Sequence, residues 1–175
     1  MTAGKVAILV GSDSDLPVVS SATKILDEFS VPYNIHVASA HRTPEKVKEY
    51  VLTSEQQGAE VFIAAAGMAA ALPGVVASLT TRPVIGIPLE GKDLSGLDAL
   101  FAIVQMPPGI PVATVAIGKS GATNAGILAV QILARNDKVL QNKLKAYREK
   151  LAADVADKDS RLQKLGIEKY IETKK

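Results

Sequence analysis

The sequence contains no cysteine, no tryptophan and only two histidines, and aromatic residues make up 4% of it. Without cysteine there is neither a disulfide framework nor a thiolate nucleophile, and a cysteine-based zinc site is excluded. The scarcity of aromatic side chains also argues against a flavin-binding module, because an isoalloxazine ring needs flat partners on which to stack.

Long hydrophobic runs are absent too. No apolar segment reaches membrane-spanning length, and the N-terminal residues lack the apolar region of a signal peptide. We therefore expect a soluble, unexported, cytoplasmic protein with no membrane partner. With 175 residues, 47% of them hydrophobic, the chain fits one globular domain with a substantial core.

The formal net charge of +2 is unevenly distributed along the chain. Residues up to Ala134 include 8 basic and 11 acidic side chains, whereas the remainder includes 12 basic and 7 acidic ones. Mixed signs along a helical tail are typical of a solvated face, and a nucleic-acid surface would carry denser Lys/Arg clusters with aromatic residues. We expect no nucleic-acid partner.

Five short runs rich in valine, isoleucine and alanine alternate with stretches of helical character. This alternation predicts a parallel sheet covered by helices on both faces, and hence a flavodoxin-like, three-layer α/β sandwich. The predicted strands are Val6–Val10, Tyr33–Ala38, Val61–Ala66, Val84–Leu89 and Val112–Ile117. The predicted helices are Leu16–Phe29, Glu45–Gln57, Pro73–Thr80, Leu94–Val104 and Gly121–Arg135.

An extra C-terminal helix follows the fifth strand-helix pair. Its apolar residues recur at helical spacing, which predicts a single apolar stripe. Because the sheet can already be covered by the preceding helices, we predict that this stripe packs on a neighbouring subunit. The stripe consists of Leu140, Leu144, Tyr147, Leu151 and Val155.

The stretch Ser39–Pro44 lies between the second predicted strand and the next helix. In open α/β sheets such turns are where ligands bind. Thr43 can cap the helix and Pro44 suits its first position, so the free amides there favour an anion. With His41 and Arg42 in the same turn, the pattern combines a proton-transfer group with an anion site. A solvated histidine in a turn that caps the helix is an alternative interpretation of the same residues.

The first turn, Gly11–Pro17, also precedes a helix. Ser12 and Ser14 offer hydroxyl groups beside free amides, a combination suited to phosphate, while Asp15 could take a ribose hydroxyl. Simple capping of the helix by Ser14 or Asp15 is an equally good interpretation of this segment alone.

The sequence argues against two other classes of protein, a signalling receiver and a nucleotide triphosphate hydrolase. A signalling receiver on this fold would need an aspartate after the third strand, and Ala64–Gly67 has none. The segment from Gly118 has Lys119 beside glycines and hydroxyl residues but lacks the P-loop spacing, so nucleotide triphosphate hydrolysis is unsupported.

Four motifs together resemble the N5-carboxyaminoimidazole ribonucleotide mutases of purine biosynthesis, over roughly residues 5 to 155. The resemblance implies a single mutase-like domain at residues 1–156 and a charged helical tail at 157–175. It further implies a homo-octamer, no metal and no bound cofactor. The motifs are Gly11-Ser12-x-Ser14-Asp15, Ser39-Ala40-His41-Arg42-Thr43-Pro44, Leu72-Pro73-Gly74 and the segment from Val104 to Val112.

The same resemblance implies the site residues and the reaction. His41 would be the acid-base residue, and the substrate would contact Ser12, Ser14, Asp15, Ser39 and Arg42. The reaction implied moves a carboxylate from the exocyclic nitrogen to carbon 4 of the aminoimidazole ring.

One position departs from the family pattern. The family usually has histidine in the third turn, in Ala-Ala-His-Leu-Pro-Gly, where this chain has Ala71. Two alternatives follow: a variant with reduced activity, or an aminoimidazole ribonucleotide carboxylase that uses free carbon dioxide. Arg42 favours the mutase, because the carboxylases more typically have lysine after the motif histidine.

Overall fold

In the computed structural model, which describes residues 4–174, five parallel strands form one sheet in the order β2-β1-β3-β4-β5. The predicted flavodoxin-like fold is confirmed. Met1 to Ala3 of the predicted N-terminal segment and Lys175 of the predicted tail lie outside the described residues. The strands are β1 (Val6–Val10), β2 (Tyr33–Val37), β3 (Val61–Ala66), β4 (Val84–Pro88) and β5 (Ala113–Thr114).

The three central strands are completely buried because they consist almost entirely of apolar or small residues. Strand β2 lies at one edge and is far more exposed, with Val37 51% accessible. Continuous apolar runs suit strands covered on both faces, whereas an edge strand tolerates polar residues such as Asn34 and His36.

Helices cover both faces of the sheet. Helix α1 packs against α5, where Gly126 allows close approach: a Cβ there would lie 2.9 Å from the Cβ of Ile25. Helices α2, α3 and α4 pack on the opposite face over Leu9, Phe62 and Ala64. The helices are α1 (Leu16–Glu28), α2 (Pro44–Gln56), α3 (Leu72–Leu79), α4 (Leu97–Val104) and α5 (Gly118–Leu133).

Strand β5 is much shorter than the predicted Val112–Ile117. Proline cannot donate to the ladder, and the segment leading into this edge strand contains Pro107, Pro108 and Pro111. One further bond, from the amide of Val115 to the carbonyl of Gly86, continues the pairing at 3.1 Å.

The remaining residues, Ala134–Lys175, form a second compact unit. Its helix α6 (Lys138–Glu172) begins at Asp137, whose carboxylate accepts bonds from two free amides. Gly166 has a non-helical backbone, with φ of 71°, and interrupts the helix near its end. In the apolar stripe Leu140 is buried, Leu144 and Tyr147 are half-buried, and Leu151 and Val155 are exposed. Packing of the stripe on a neighbouring subunit stays a prediction.

Within residues 4–174, no helix is both long enough and apolar enough to cross a membrane.

Candidate active site at the carboxyl ends of three strands

The turns that follow β1, β2 and β3 meet at one edge of the sheet. The register aligns Val10 with Val37 on one side and with Ala65 on the other, so the three strands end at nearly the same level. The chain also reverses its direction of winding between β1 and β3. In doubly wound sheets the ligand crevice lies at this switch point.

The first turn is organised by reciprocal hydrogen bonds between Ser12 and Asp15. The Ser12 amide donates to the Asp15 carboxylate at 3.1 Å, and the Ser12 hydroxyl accepts from the Ser14 amide at 3.3 Å. The Ser14 hydroxyl also donates to the Ser12 hydroxyl at 2.8 Å. This is a capping box around a short 3₁₀ turn, so Ser12 performs the capping that the sequence suggested for Ser14 or Asp15.

The environment of Asp15 disfavours its charged form. Partial burial raises the pKa of this carboxyl above its ordinary value, and the hydrogen bond from the Ser12 amide opposes that rise. Asp13, two residues earlier, is exposed. The first turn therefore presents a half-buried carboxyl beside two hydroxyl groups, an arrangement able to accept hydrogen bonds from a ligand hydroxyl.

The second turn is closed by Ser39 and Thr43. The Thr43 hydroxyl accepts from the Ser39 amide at 3.0 Å and donates to the Ser39 carbonyl at 3.2 Å. The Thr43 amide donates to the same carbonyl at 2.9 Å. Thr43 occupies the N-cap position of α2, but its side chain makes no capping bond, so the predicted capping role is wrong.

Arg42 connects the second turn to the first. Its Nη2 atom donates to the carbonyl oxygen of Gly11 at 3.2 Å, across thirty-one residues of chain. Its backbone amide and Nε donate to the Ser39 hydroxyl at 3.2 and 3.5 Å. The guanidinium is thus anchored on one side and retains further N–H groups that can face an anion.

His41 lies inside this closed turn, between Ala40 and the anchored Arg42, and its side chain is exposed. The other histidine, His36, is on β2 and stacks on Tyr50 of α2 with ring centroids 3.8 Å apart. His36 is therefore held in a groove beside the edge strand, and His41 is the histidine that the fold brings to the strand ends.

The third turn offers small side chains and backbone groups. Gly67 and Ala69–Ala71 carry no polar side chain, and Met68 is 67% exposed with φ of 56°, a conformation that costs energy for a residue with a Cβ. Ala71 occupies the N-cap position of α3. This turn can accept a flat ligand at close range, and it supplies no proton-transfer group.

Among the described residues, no group of three His, Asp or Glu side chains is arranged to hold a metal ion.

Fold and site together define a doubly wound α/β domain whose polar turns cluster at the switch point of its sheet. Residues 5–154 match the AIR carboxylase family, and the chain belongs to that family.

Two curated relatives differ in name. The N5-carboxyaminoimidazole ribonucleotide mutase of Pyrococcus abyssi is 55% identical, over 96% of this chain and 95% of that protein. The phosphoribosylaminoimidazole carboxylase of Candida glabrata is 48% identical over 97% of this chain, but the match spans only 29% of that longer protein. Among solved structures, Treponema denticola PurE superposes with a TM-score of 0.82 at 31% identity, covering 90% of this chain and 97% of that one.

Hydrogen bonds join five of the six predicted site residues within or between the first two turns, and His41 lies between the bonded residues of the second turn. Sequence reasoning missed two contributors. Gly11 acts through its carbonyl oxygen, which no residue type reveals. The sequence predicts Thr43 only as a helix cap, although its spacing of four residues from Ser39 is compatible with a closed turn.

Proposed function

We propose that this chain catalyses the conversion of N5-carboxyaminoimidazole ribonucleotide to 4-carboxyaminoimidazole ribonucleotide in purine biosynthesis. The observation that carries the proposal is the closed turn of His41 and Arg42, anchored to Gly11 at the switch point of the sheet. Family membership and the name of the 55% identical relative give the substrate class. No other turn at this edge offers an imidazole beside a guanidinium.

In the proposed mechanism His41 carries one proton through both halves of the reaction. The imidazolium protonates the exocyclic nitrogen as the bond between nitrogen and carboxylate breaks, releasing carbon dioxide beside the ring. Carbon 4 then attacks the carbon dioxide, and the neutral imidazole removes the proton from carbon 4 to restore the aromatic ring. His41 ends protonated, as it began, so the cycle requires no external acid, base or reductant.

The remaining site residues hold the ribonucleotide. Arg42 would bind an anionic group of the substrate through the N–H groups that do not contact Gly11. The hydroxyl groups of Ser12 and Ser14 would contact the phosphate, and the half-buried Asp15 would accept a bond from a ribose hydroxyl. Ser39 would contact the substrate while it supports Arg42.

A substrate comparison tests the proposal. The purified chain is assayed with N5-carboxyaminoimidazole ribonucleotide and, separately, with the uncarboxylated ribonucleotide plus bicarbonate. We expect turnover of N5-carboxyaminoimidazole ribonucleotide and little turnover of the uncarboxylated ribonucleotide with bicarbonate. Turnover of the second alone would replace the mutase assignment by the carboxylase one.

Ala71 supports that second candidate, a carboxylase using free carbon dioxide. The Candida glabrata relative is named a carboxylase, but this chain matches only 29% of that protein. Arg42 supports the mutase, because its fork can hold a carboxylate in two bonds while also contacting Gly11. We favour the mutase.

We also infer that the chain acts as a homo-octamer in the cytoplasm. Exposed apolar side chains support an assembly: Phe101 on α4 is 59% exposed and Val155 on α6 is 64% exposed. His41 and Arg42 are exposed within a single chain, and enclosure of carbon dioxide would favour a neighbouring copy over the site. Removing residues from Lys138 onward should lower the association state in light scattering, and a truncated chain that remained octameric would contradict the role given to α6.

We also propose a mutase-like domain at residues 1–156 and a charged tail at 157–175, although the division into compact units falls earlier, between Leu133 and Ala134. The family match, which ends at residue 154, supports this boundary.

A further inference from the structure

The hydroxyl group of Thr43 makes two hydrogen bonds, both to the backbone of one residue. It accepts from the amide of Ser39 at 3.0 Å and donates to the carbonyl of Ser39 at 3.2 Å. A hydroxyl has one proton, and that proton is used here. Both backbone polar groups of Ser39 are therefore held by a single side chain four residues away.

The Thr43 side chain does not make the capping hydrogen bond that is common at the start of a helix. Thr43 is the N-cap residue of α2, where a threonine side chain ordinarily accepts a hydrogen bond from a free amide of the helix. Here the hydroxyl makes no such bond, while the Thr43 carbonyl accepts from the amides of Lys46 and Val47. The side chain thus serves the turn preceding the helix.

The held residue in turn supports Arg42. The Ser39 hydroxyl accepts from the backbone amide and Nε of Arg42, and the Arg42 Nη2 reaches the Gly11 carbonyl at 3.2 Å. A chain of bonds therefore runs from Thr43 through Ser39 to Arg42 and the first turn. His41 lies on the arc between the two ends of this closed ring.

We propose that Thr43 is a positioning residue for the reaction, which holds the Ser39–Thr43 ring in the shape that presents His41 and Arg42 to the same substrate. The inference rests on the proposed function for its kinetic consequence. Its structural part, control of the environment of His41, is independent of which substrate is used. Thr43 itself would touch no reacting atom.

The variants separate the hydroxyl from the rest of the side chain. Thr43→Val keeps the branched shape and removes both side-chain bonds to Ser39, leaving the bond from the Thr43 amide to the Ser39 carbonyl, whereas Thr43→Ser keeps the hydroxyl. Thr53→Val is the matched control, because it makes the same substitution at an exposed position on the same helix.

The kinetic result expected for Thr43→Val is a fall in kcat of about 10- to 100-fold, since displacement of a reacting group by about 1 Å can cost that much. KM for the carboxylated ribonucleotide should change less than kcat. Thr43→Ser should retain kcat within about three-fold, and Thr53→Val should match the unmodified chain. Unchanged kcat in Thr43→Val, or equal losses in the valine and serine variants, would overturn the proposal.

A second measurement needs no substrate. The chain has two histidines, so histidine labelled only at the Cε1 carbon gives two signals in a carbon-proton correlation spectrum, with His36 as an internal reference. Thr43→Val should shift the His41 signal and leave that of His36, which stacks on Tyr50 further along α2. Thr43→Ser should leave the His41 signal at the position it has in the unmodified chain. An unmoved His41 signal, or equal movement of both, would mean that Thr43 does not act specifically on the turn.

The two readouts distinguish failure of the inference from failure of the proposed function. If the unmodified chain does not turn over the carboxylated ribonucleotide, the proposed function fails, while the histidine spectrum still decides the role of Thr43.

Discussion

Arg42 donates a hydrogen bond of 3.2 Å to the carbonyl oxygen of Gly11, and this bond joins the turns that follow two neighbouring strands. A guanidinium can make this bond and still present a fork to an anion, because its five N–H groups point in fixed directions. A lysine ammonium in the same place would lack that planar fork.

We therefore predict that Arg42→Ala raises KM for the ribonucleotide by about 10- to 100-fold, equivalent to about 1.5–3 kcal/mol for lost charged hydrogen bonds, with a smaller change in kcat. Arg42→Lys should recover only part of the loss. Arg82→Ala is the control, because Arg82 pairs with Glu55 away from the strand ends. Steady-state kinetics measure all three, and a normal KM in Arg42→Ala would refute the binding role.

His41→Asn should lower kcat by about 10²- to 10⁴-fold while leaving substrate affinity within a few-fold. Asparagine keeps a polar side chain of similar reach but cannot exchange a proton near neutral pH. His36→Asn is the matched control, since His36 stacks on Tyr50 in the groove beside β2. Near-normal turnover by His41→Asn in a single-turnover assay would show that another group carries the proton.

We predict that Asp15→Asn stabilises the folded chain near neutral pH and weakens its binding of the ribonucleotide. Burial raises its pKa above 3.8 in the folded state, so the folded chain holds this proton more tightly than the unfolded chain does. Protonated Asp15 therefore contributes favourably to the free energy of unfolding. This contribution is complete below the pKa that Asp15 has in the unfolded chain, and it is lost as the pH rises through its pKa in the folded chain. Asp15→Asn should therefore become more stable, relative to the unmodified chain, as the pH is raised from below 3.8 to neutral.

Denaturant midpoints at the two pH values measure this change, and Asp13→Asn controls for the loss of a negative charge at an exposed neighbouring position. Asp15→Asn should also bind the ribonucleotide more weakly, because it loses the charged acceptor. A stability difference that is independent of pH would contradict the effect assigned to burial.

Ala71→His should raise mutase activity strongly if this chain is a mutase that lacks one polar group. A positioned group in an active site commonly contributes several kcal/mol to transition-state stabilisation, equivalent to orders of magnitude in rate. Ala69→His, in the same turn and exposed, is the matched control. No gain, or a loss, in Ala71→His together with bicarbonate-dependent turnover by the unmodified chain would favour the carboxylase.

Two of the three central strands, β1 and β3, could be predicted to the residue because they are buried on both faces and therefore apolar throughout, whereas β4 ends at Pro88, one residue before the predicted Leu89. The bounds of β1 and β3 agree with the predicted ones. The bounds of strand β5 could not be predicted as well. Its apolar residues indicate burial near the edge of the sheet, but the length over which it pairs depends on the path that the preceding prolines impose on the chain.

The residue types indicate the chemistry of the candidate site, but they do not indicate which hydrogen bonds connect its residues. A threonine before Pro44 predicts a cap, and only the folded turn reveals that its hydroxyl bonds to Ser39 instead. The contact of Arg42 with Gly11 depends on the register of β1 against β2, which local sequence does not specify.

In the proposed reaction the carboxylate moves within one site from the exocyclic nitrogen to carbon 4. The most direct measurement follows an isotopically labelled carboxylate carbon of N5-carboxyaminoimidazole ribonucleotide into the product, in the presence of excess unlabelled bicarbonate. We predict that the product formed early in the reaction retains the label, because the released carbon dioxide is captured before it exchanges with solvent. Product carrying only the unlabelled carbon of the bicarbonate pool would contradict this account.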